Sequence, residues 1–278
     1  MDHFTTRPGA WQLTTRAWGS TRAAIGAMPL LFLSAMVLSI ALSLASFAVP
    51  WVTNLVMVAP KSVTPAMVWP ALGMRAVITV AWAILATPVA VAVHRFILLD
   101  QVTRGPVSWL PRHTLAFAAW LVAIRFLYVL VSGGMLLLRN AAAEIFVVYC
   151  GAFALVVIGV YLTMLFPAVA VETPSKSVSA RLETSMQQMS GHFWLFVFAV
   201  FLTFIPAVVV TAVIQIALLR SITQSAIQGL ATHAPVIALV GAGLLGVLQI
   251  VFVALAASVA SWLYSWVSRD SSSGAASG

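Results

Sequence analysis

Six stretches of the chain run for twenty or more residues with almost no charged side chain, at about 26–49, 74–94, 114–138, 145–170, 193–219 and 236–263. A helix rising about 1.5 Å per residue needs roughly 20 residues to cross a hydrocarbon layer of about 30 Å, so each stretch can span a bilayer. In lipid a helix pairs its own backbone groups, whereas an open strand leaves them unpaired. None of the six alternates apolar and polar positions as a membrane β-barrel does. The pattern predicts an all-α polytopic bundle of about six spanning helices with short loops. The transmembrane domain covers 26–267, between an N-terminal segment at 1–25 and a Ser/Gly-rich tail at 268–278 expected to be disordered.

Two stretches mix apolar and polar positions instead. "WQLTTRAWGSTR" precedes the first span, and "SVSARLETSMQQMSGHF" separates the fourth from the fifth. Both are expected to lie at the interface as amphipathic helices. The first would turn Arg16 and Arg22 toward anionic headgroups, and the second would rest on Val178, Leu182 and Met189. Trp11, Trp18, Trp51, Trp69, Trp109, Trp194, Trp262 and Trp266 fall near span ends, where tryptophan is favoured by the headgroup region.

Composition sharpens this picture. Hydrophobic residues make up 62% of the 278 and charged residues only 7%, against about 25% charged in a soluble domain. The net charge of +8 carries no nucleic-acid signal, because the Lys and Arg residues are scattered singly between apolar runs. Nine of the fourteen fall on the side that holds both termini and four on the other, with Arg125 between them. By the positive-inside rule both termini are expected in the cytoplasm of a bacterial inner-membrane protein. "SLASFAVPW" offers a signal-peptidase-like Ser46 and Ala48. The apolar run before it is about 24 residues, longer than the usual 7–15 of a signal peptide, so an uncleaved anchor is expected.

Candidate chemistry is sparse. The six acidic residues (Asp2, Asp100, Glu144, Glu172, Glu183 and Asp270) lie outside the depths of the spans, which argues against proton-coupled antiport. His3, His94, His113, His192 and His233 have no metal-ligand spacing and are expected at the interface. Cys150 stands alone, which excludes an intrachain disulfide. No nucleophile elbow, phosphate loop or dinucleotide fingerprint occurs, and "GAGLLG" follows no strand. No catalytic residues, metal or cofactor are therefore expected, and the protein reads as non-enzymatic.

Packing signals are more numerous. Ala35, Ser39 and Ser43 form a small-residue ladder in the first span. Gly246, Ala254, Ser258, Ala257, Ser261 and Ser265 do the same in the sixth, with Ala242. Such positions let helices approach closely in lipid, within one chain or between copies in a homo-oligomer. Pro88, Pro167 and Pro206 are expected to kink their helices. Pro88 and Pro167 also share a local pattern ("TPVAVAV", "FPAVAVE") that would suit repeated hairpins formed by spans 1–2, 3–4 and 5–6.

Arg125 is the outstanding polar residue. It lies near the middle of the third span, in "AWLVAIRFLYVLV", where a guanidinium costs at least a few kcal/mol. Gln249 and Thr203 fall at similar depth, and Tyr128 follows Arg125 by one turn. Tyr161, Thr163 and Gln215 are polar at lesser depth. Arg125, Gln249, Tyr128 and Thr203 form the candidate intramembrane site. It serves either as an anion-attracting cavity or as a hydrogen-bonded packing feature.

The segment "YLTMLFPAVAVETPSKSVSARLETSMQQMSGHFWLFVFAV" joins an apolar helix ending at Pro167 and Glu172 to a Ser/Ala-rich helix at 177–189 and an aromatic span entry. With "HRFILLDQVTRG", it resembles a group of six-helix bacterial inner-membrane proteins. These are similar to the membrane domain fused to some glycerophosphoryl diester phosphodiesterases. The resemblance implies the same fold and location; it supplies no catalytic residues, and no phosphodiesterase domain is present in this chain. The expected function is a structural, accessory or lipid-interacting membrane component whose partners are the bilayer and other membrane proteins or copies of itself. The alternative is a small transporter or permease subunit.

Overall fold

The computed structural model describes residues 7–48, 65–103, 112–137, 141–171, 178–227 and 234–275. The described residues are almost all helical, with no strand among them. In order they form α1 (Ala10–Ala27), α2 (Pro29–Ala48), α3 (Pro65–Leu99), α4 (Arg112–Leu137) and α5 (Ala141–Leu162). There follow α6 (Leu165–Val171), α7 (Val178–Ser190), α8 (Phe193–Ile227) and α9 (Ala234–Ala275). Four segments are long and apolar enough to cross a bilayer: Gly73–Leu99, Tyr149–Val171, Phe193–Ala217 and Leu239–Ser268. A fifth is added if α1 and α2 count as one bent span. The protein is a multi-pass helical membrane protein. Within α4 the apolar stretch among described residues is Thr114–Leu127, so six complete spans are not established.

Helix ends follow local chemistry. The residue before a proline is disfavoured in the α region, and proline itself suits the first position of a helix. Met28–Pro29 therefore ends α1 and begins α2, and the two axes meet at 98°. Asp100, at φ 55°, takes the left-handed conformation that closes α3, and Gln101 N–H donates to the Arg95 carbonyl at 3.3 Å. The Arg95 guanidinium then donates to Gln101 Oε1 and to the Ala170 carbonyl at the end of α6. A cation at that carbonyl end complements the helix dipole.

α9 is the centre of the bundle and packs against α1, α2, α3, α6 and α8. Its small residues meet those of α2 within the chain. Ser39 Oγ donates to the Gly246 carbonyl, and Ala35, Ser39 and Ser43 are all buried. α1 lies across α8 and α9 with its small polar face inward. Thr203 Oγ1 donates to Thr14 Oγ1, Thr21 pairs with Ser258 at 2.9 Å, and Trp262 Nε1 donates to Ser20 Oγ at 2.8 Å. Arg16 sits 5.0 Å over the Trp262 ring, while Trp11 and Arg22 remain exposed. α7 rests on α5, with Ser185 donating to the Tyr161 carbonyl and Met189 fully buried.

Several expectations change here. Trp262 and Trp266, read as markers of a span end, are buried, Trp262 under α1 and Trp266 beside His192. Trp51 and Trp109 lie outside the described residues. α9 continues to Ala275, through most of the stretch expected to be disordered. Extending an existing helix needs no new nucleus, so Ser and Gly are carried along. α3 and α8 run unbroken through Pro88 and Pro206, whereas the helix containing Pro167 breaks. The Pro88 and Pro167 segments thus differ in backbone geometry despite their shared pattern.

Candidate functional site

Proline at position 167 has no N–H for the Thr163 carbonyl, and its ring crowds that same carbonyl. The chain accordingly leaves the α-helix at Thr163–Met164, four residues earlier, before α6 resumes. Thr163 Oγ1 turns back to the Gly159 carbonyl at 2.8 Å. The break lets α6 turn in against α3, α4 and α9. Phe166 then packs against Phe117 with ring centroids 4.9 Å apart and the rings tilted by 54°, and Phe117 packs against His94 in the same way at 5.7 Å. These three rings form the floor of a partly open cavity of about 800 Å³ bordered by α3, α4, α5, α6, α8 and α9.

Two groups of alanines belong to the walls. Ala83, Ala86 and Ala90 repeat at helical spacing on α3, and Ala256, Ala257 and Ala260 do so on α9. Residues three and four apart share one helix face, so both rows turn a short-side-chain surface inward. From Thr79 to His94 the cavity follows α3 for about 22 Å. Phe204, beside Phe252 at 5.5 Å, forms a further part of its apolar wall.

His94 is 1% exposed, although its position in the sequence reads as interfacial. α3 continues to Leu99, which carries the span past His94 and draws its ring into the bundle. Its Nδ1 lies 2.7 Å from Ser261 Oγ, and Ser261 Oγ also donates to the Ala257 carbonyl at 2.8 Å. The serine ladder read as a packing feature is therefore also a histidine anchor.

Apart from His94 and Thr163, the polar residues of the lining stand away from this floor. Arg125 stands eight residues beyond Phe117 on α4, which raises it about 12 Å along the helix. Gln249 stands twelve residues before Ser261 on α9, about 18 Å up. The two are thus about one helical turn apart in depth, across one cavity, and both are exposed. Thr79, Thr211 and Gln215 line the cavity toward the same end.

No protein-family model, curated protein or solved structure matches this chain.

Of the residues expected to form an intramembrane site, Arg125 and Gln249 share the cavity. Thr203 is fully buried elsewhere, at the α1 contact, where it bonds the Ala199 carbonyl and Thr14. The side chain of Tyr128 lies outside the described residues. Sequence reasoning missed His94 as a lining residue and missed the alanine rows. The rows were visible as small residues at helical spacing, but only the positions of their neighbours make them cavity walls. Arg125 is the charged residue among the described residues of the lining. Among the described residues no three His, Cys, Asp or Glu side chains gather as a metal-binding group. The arrangement is a long apolar slot with a cationic, amide-bearing end, which can hold an anion attached to an apolar body.

Proposed function

We propose that this is a non-enzymatic, lipid-interacting protein of a bacterial inner membrane, which takes an anionic amphiphile into its cavity. The observation that carries the reading is the lining. Arg125 and Gln249 stand within about a turn of each other in a mostly apolar slot, and no Asp or Glu is among the described residues that line it. A guanidinium can grip a phosphate or carboxylate through several N–H donors, and low surrounding polarity strengthens the attraction. The apolar body lies along the alanine walls. The nine-to-four distribution of Lys and Arg supports cytoplasmic termini, and the six-helix resemblance supports the inner-membrane location.

The test uses the full chain in an uncharged detergent, with hexadecyl phosphate and hexadecanol as probes. The phosphate should bind, and Arg125→Gln should weaken it about 10- to 100-fold, the range for losing a charged hydrogen bond. Hexadecanol should be indifferent to the substitution. Equal phosphate affinity in the wild type and a folded R125Q protein would discard the reading.

A second reading, carriage of the same anion across the membrane, is favoured by the break at Thr163–Met164 in the cavity wall. Discontinuous helices are common at transporter binding sites. Arg125-dependent movement of hexadecyl phosphate between the leaflets of protein-containing vesicles would establish it.

A further inference from the structure

We infer that the cavity recognises a single-chain anion whose far end carries a hydroxyl group, read by His94. The inference rests on the anion-binding role of Arg125 and adds the second end of the ligand.

His94 lines the cavity floor while Nδ1 is engaged by Ser261. The other ring nitrogen, Nε2, has no hydrogen-bond partner among the described residues. The Phe117 ring stands 5.7 Å from the His94 ring, and Phe166, Ala90 and Ala260 line the same cavity. A polar nitrogen bordering a mostly apolar slot is better matched by a ligand hydroxyl than by a hydrocarbon tail, for which another phenylalanine would make the better floor. The anchoring serine fixes the ring's orientation. A hydroxyl suits the remaining nitrogen whichever tautomer the Ser261 contact selects, because a hydroxyl both donates and accepts.

Depth sets the spacing of the two recognised groups. Arg125 and Gln249 stand about 12 and 18 Å above the level of His94 along their helices. The hydrocarbon thickness of one leaflet is about 15 Å, half of a bilayer core of about 30 Å. An extended chain of ordinary acyl length therefore reaches from the cation to the histidine. The alanine rows provide a slot along that path, and Phe166 and Phe117 close its lower end. The ligand class is a long-chain ω-hydroxy acid or its phosphate counterpart, distinguished from an ordinary fatty anion by its terminal hydroxyl.

Paired probes test this: ω-hydroxydodecanoate against dodecanoate, and ω-hydroxyhexadecanoate against hexadecanoate. Their affinities are measured on the full chain in uncharged detergent by competition with hexadecyl phosphate. In the wild type, one hydroxy acid should bind about tenfold more tightly than its parent. That ratio should fall to about one in His94→Phe, which keeps an aromatic ring but no nitrogen. Arg125→Gln should weaken the hydroxy acid and its parent together, leaving the ratio intact. Equal affinities of both pairs in the wild type would overturn the inference, since water would then serve His94 as well as a ligand does. Survival of the advantage in H94F would overturn it equally. The wild-type ratio decides even where H94F does not fold. If the plain acids bind in an Arg125-dependent way without any hydroxyl advantage, only the His94 inference fails. If no anion depends on Arg125, the underlying anion reading fails with it.

Discussion

Gly246 shows how little room a membrane interface leaves. A Cβ built there would stand 2.9 Å from the backbone nitrogen of Ile40 and 3.0 Å from its Cα, so neither helix could yield by turning a side chain. Ser39 donates to the Gly246 carbonyl at the same crossing, which ties α2 and α9 at their closest approach. Gly246→Leu should force the helices apart and cost about 1–3 kcal/mol, typical of overpacking. The check is reversible unfolding in mixed detergent and SDS. Gly243 lies on the same helix and provides the contrast, since a Cβ added there would meet nothing within 4 Å. Gly243→Ala should be neutral or stabilising by up to about 1 kcal/mol, through helix propensity alone. The string "GAGLLG" gives both glycines the same appearance. Which one is a contact depends on where α2 passes.

At the level of elements, a proline's effect depends on what surrounds it. α3 carries Pro88 through a continuous helix flanked by buried Val89 and Ala90, whereas Pro167 breaks its helix and creates α6. Neighbouring helices can satisfy a carbonyl freed by proline, which is why sequence alone does not decide between a tolerated proline and a break. Pro167→Ala returns an N–H donor to the Thr163 carbonyl and removes the ring clash. The expected result is increased hydrogen-exchange protection across 163–168, as α5 and α6 join. Moving α6 also weakens the Phe166–Phe117 contact at the cavity floor. Hexadecyl phosphate binding should fall about two- to tenfold, the range for losing one aromatic pair. The amphipathic helices α1 and α7 were legible as elements, because mixed polarity at helical spacing marks them in any context. The docking of α1 through Thr14, Ser20 and Thr21 was not, since small hydroxyl residues look alike whether they face water, lipid or another helix.

For the whole molecule, the cavity is the property that no single helix contains. Six helices border it, and alanines on two of them form part of its lining. Ala256 is exposed and lines the cavity, so a larger side chain there enters existing space. Ala256→Phe should abolish hexadecyl phosphate binding while holding or raising the melting temperature, as cavity-filling substitutions commonly do. Binding measured alongside a thermal melt separates this from unfolding. A loss of stability equal to a large core defect would mean that the alanine row packs against protein rather than bordering a void.

The sequence by itself determined that the chain is helical and crosses a membrane several times. Those properties follow from the length of apolar runs and from the need to satisfy every backbone group in lipid, both of which are local. It also singled out Arg125, because a charge at that depth is costly wherever the neighbouring helices stand. Only the tertiary structure decided that Gln249 joins Arg125 while Thr203 turns to α1, that His94 enters the core, and that alanines of two helices line one cavity. In water, apolarity tells a helix which face to bury. In lipid almost every face is apolar, so helix rotation and neighbour choice are set by steric fit and a few hydrogen bonds that appear only when the helices meet.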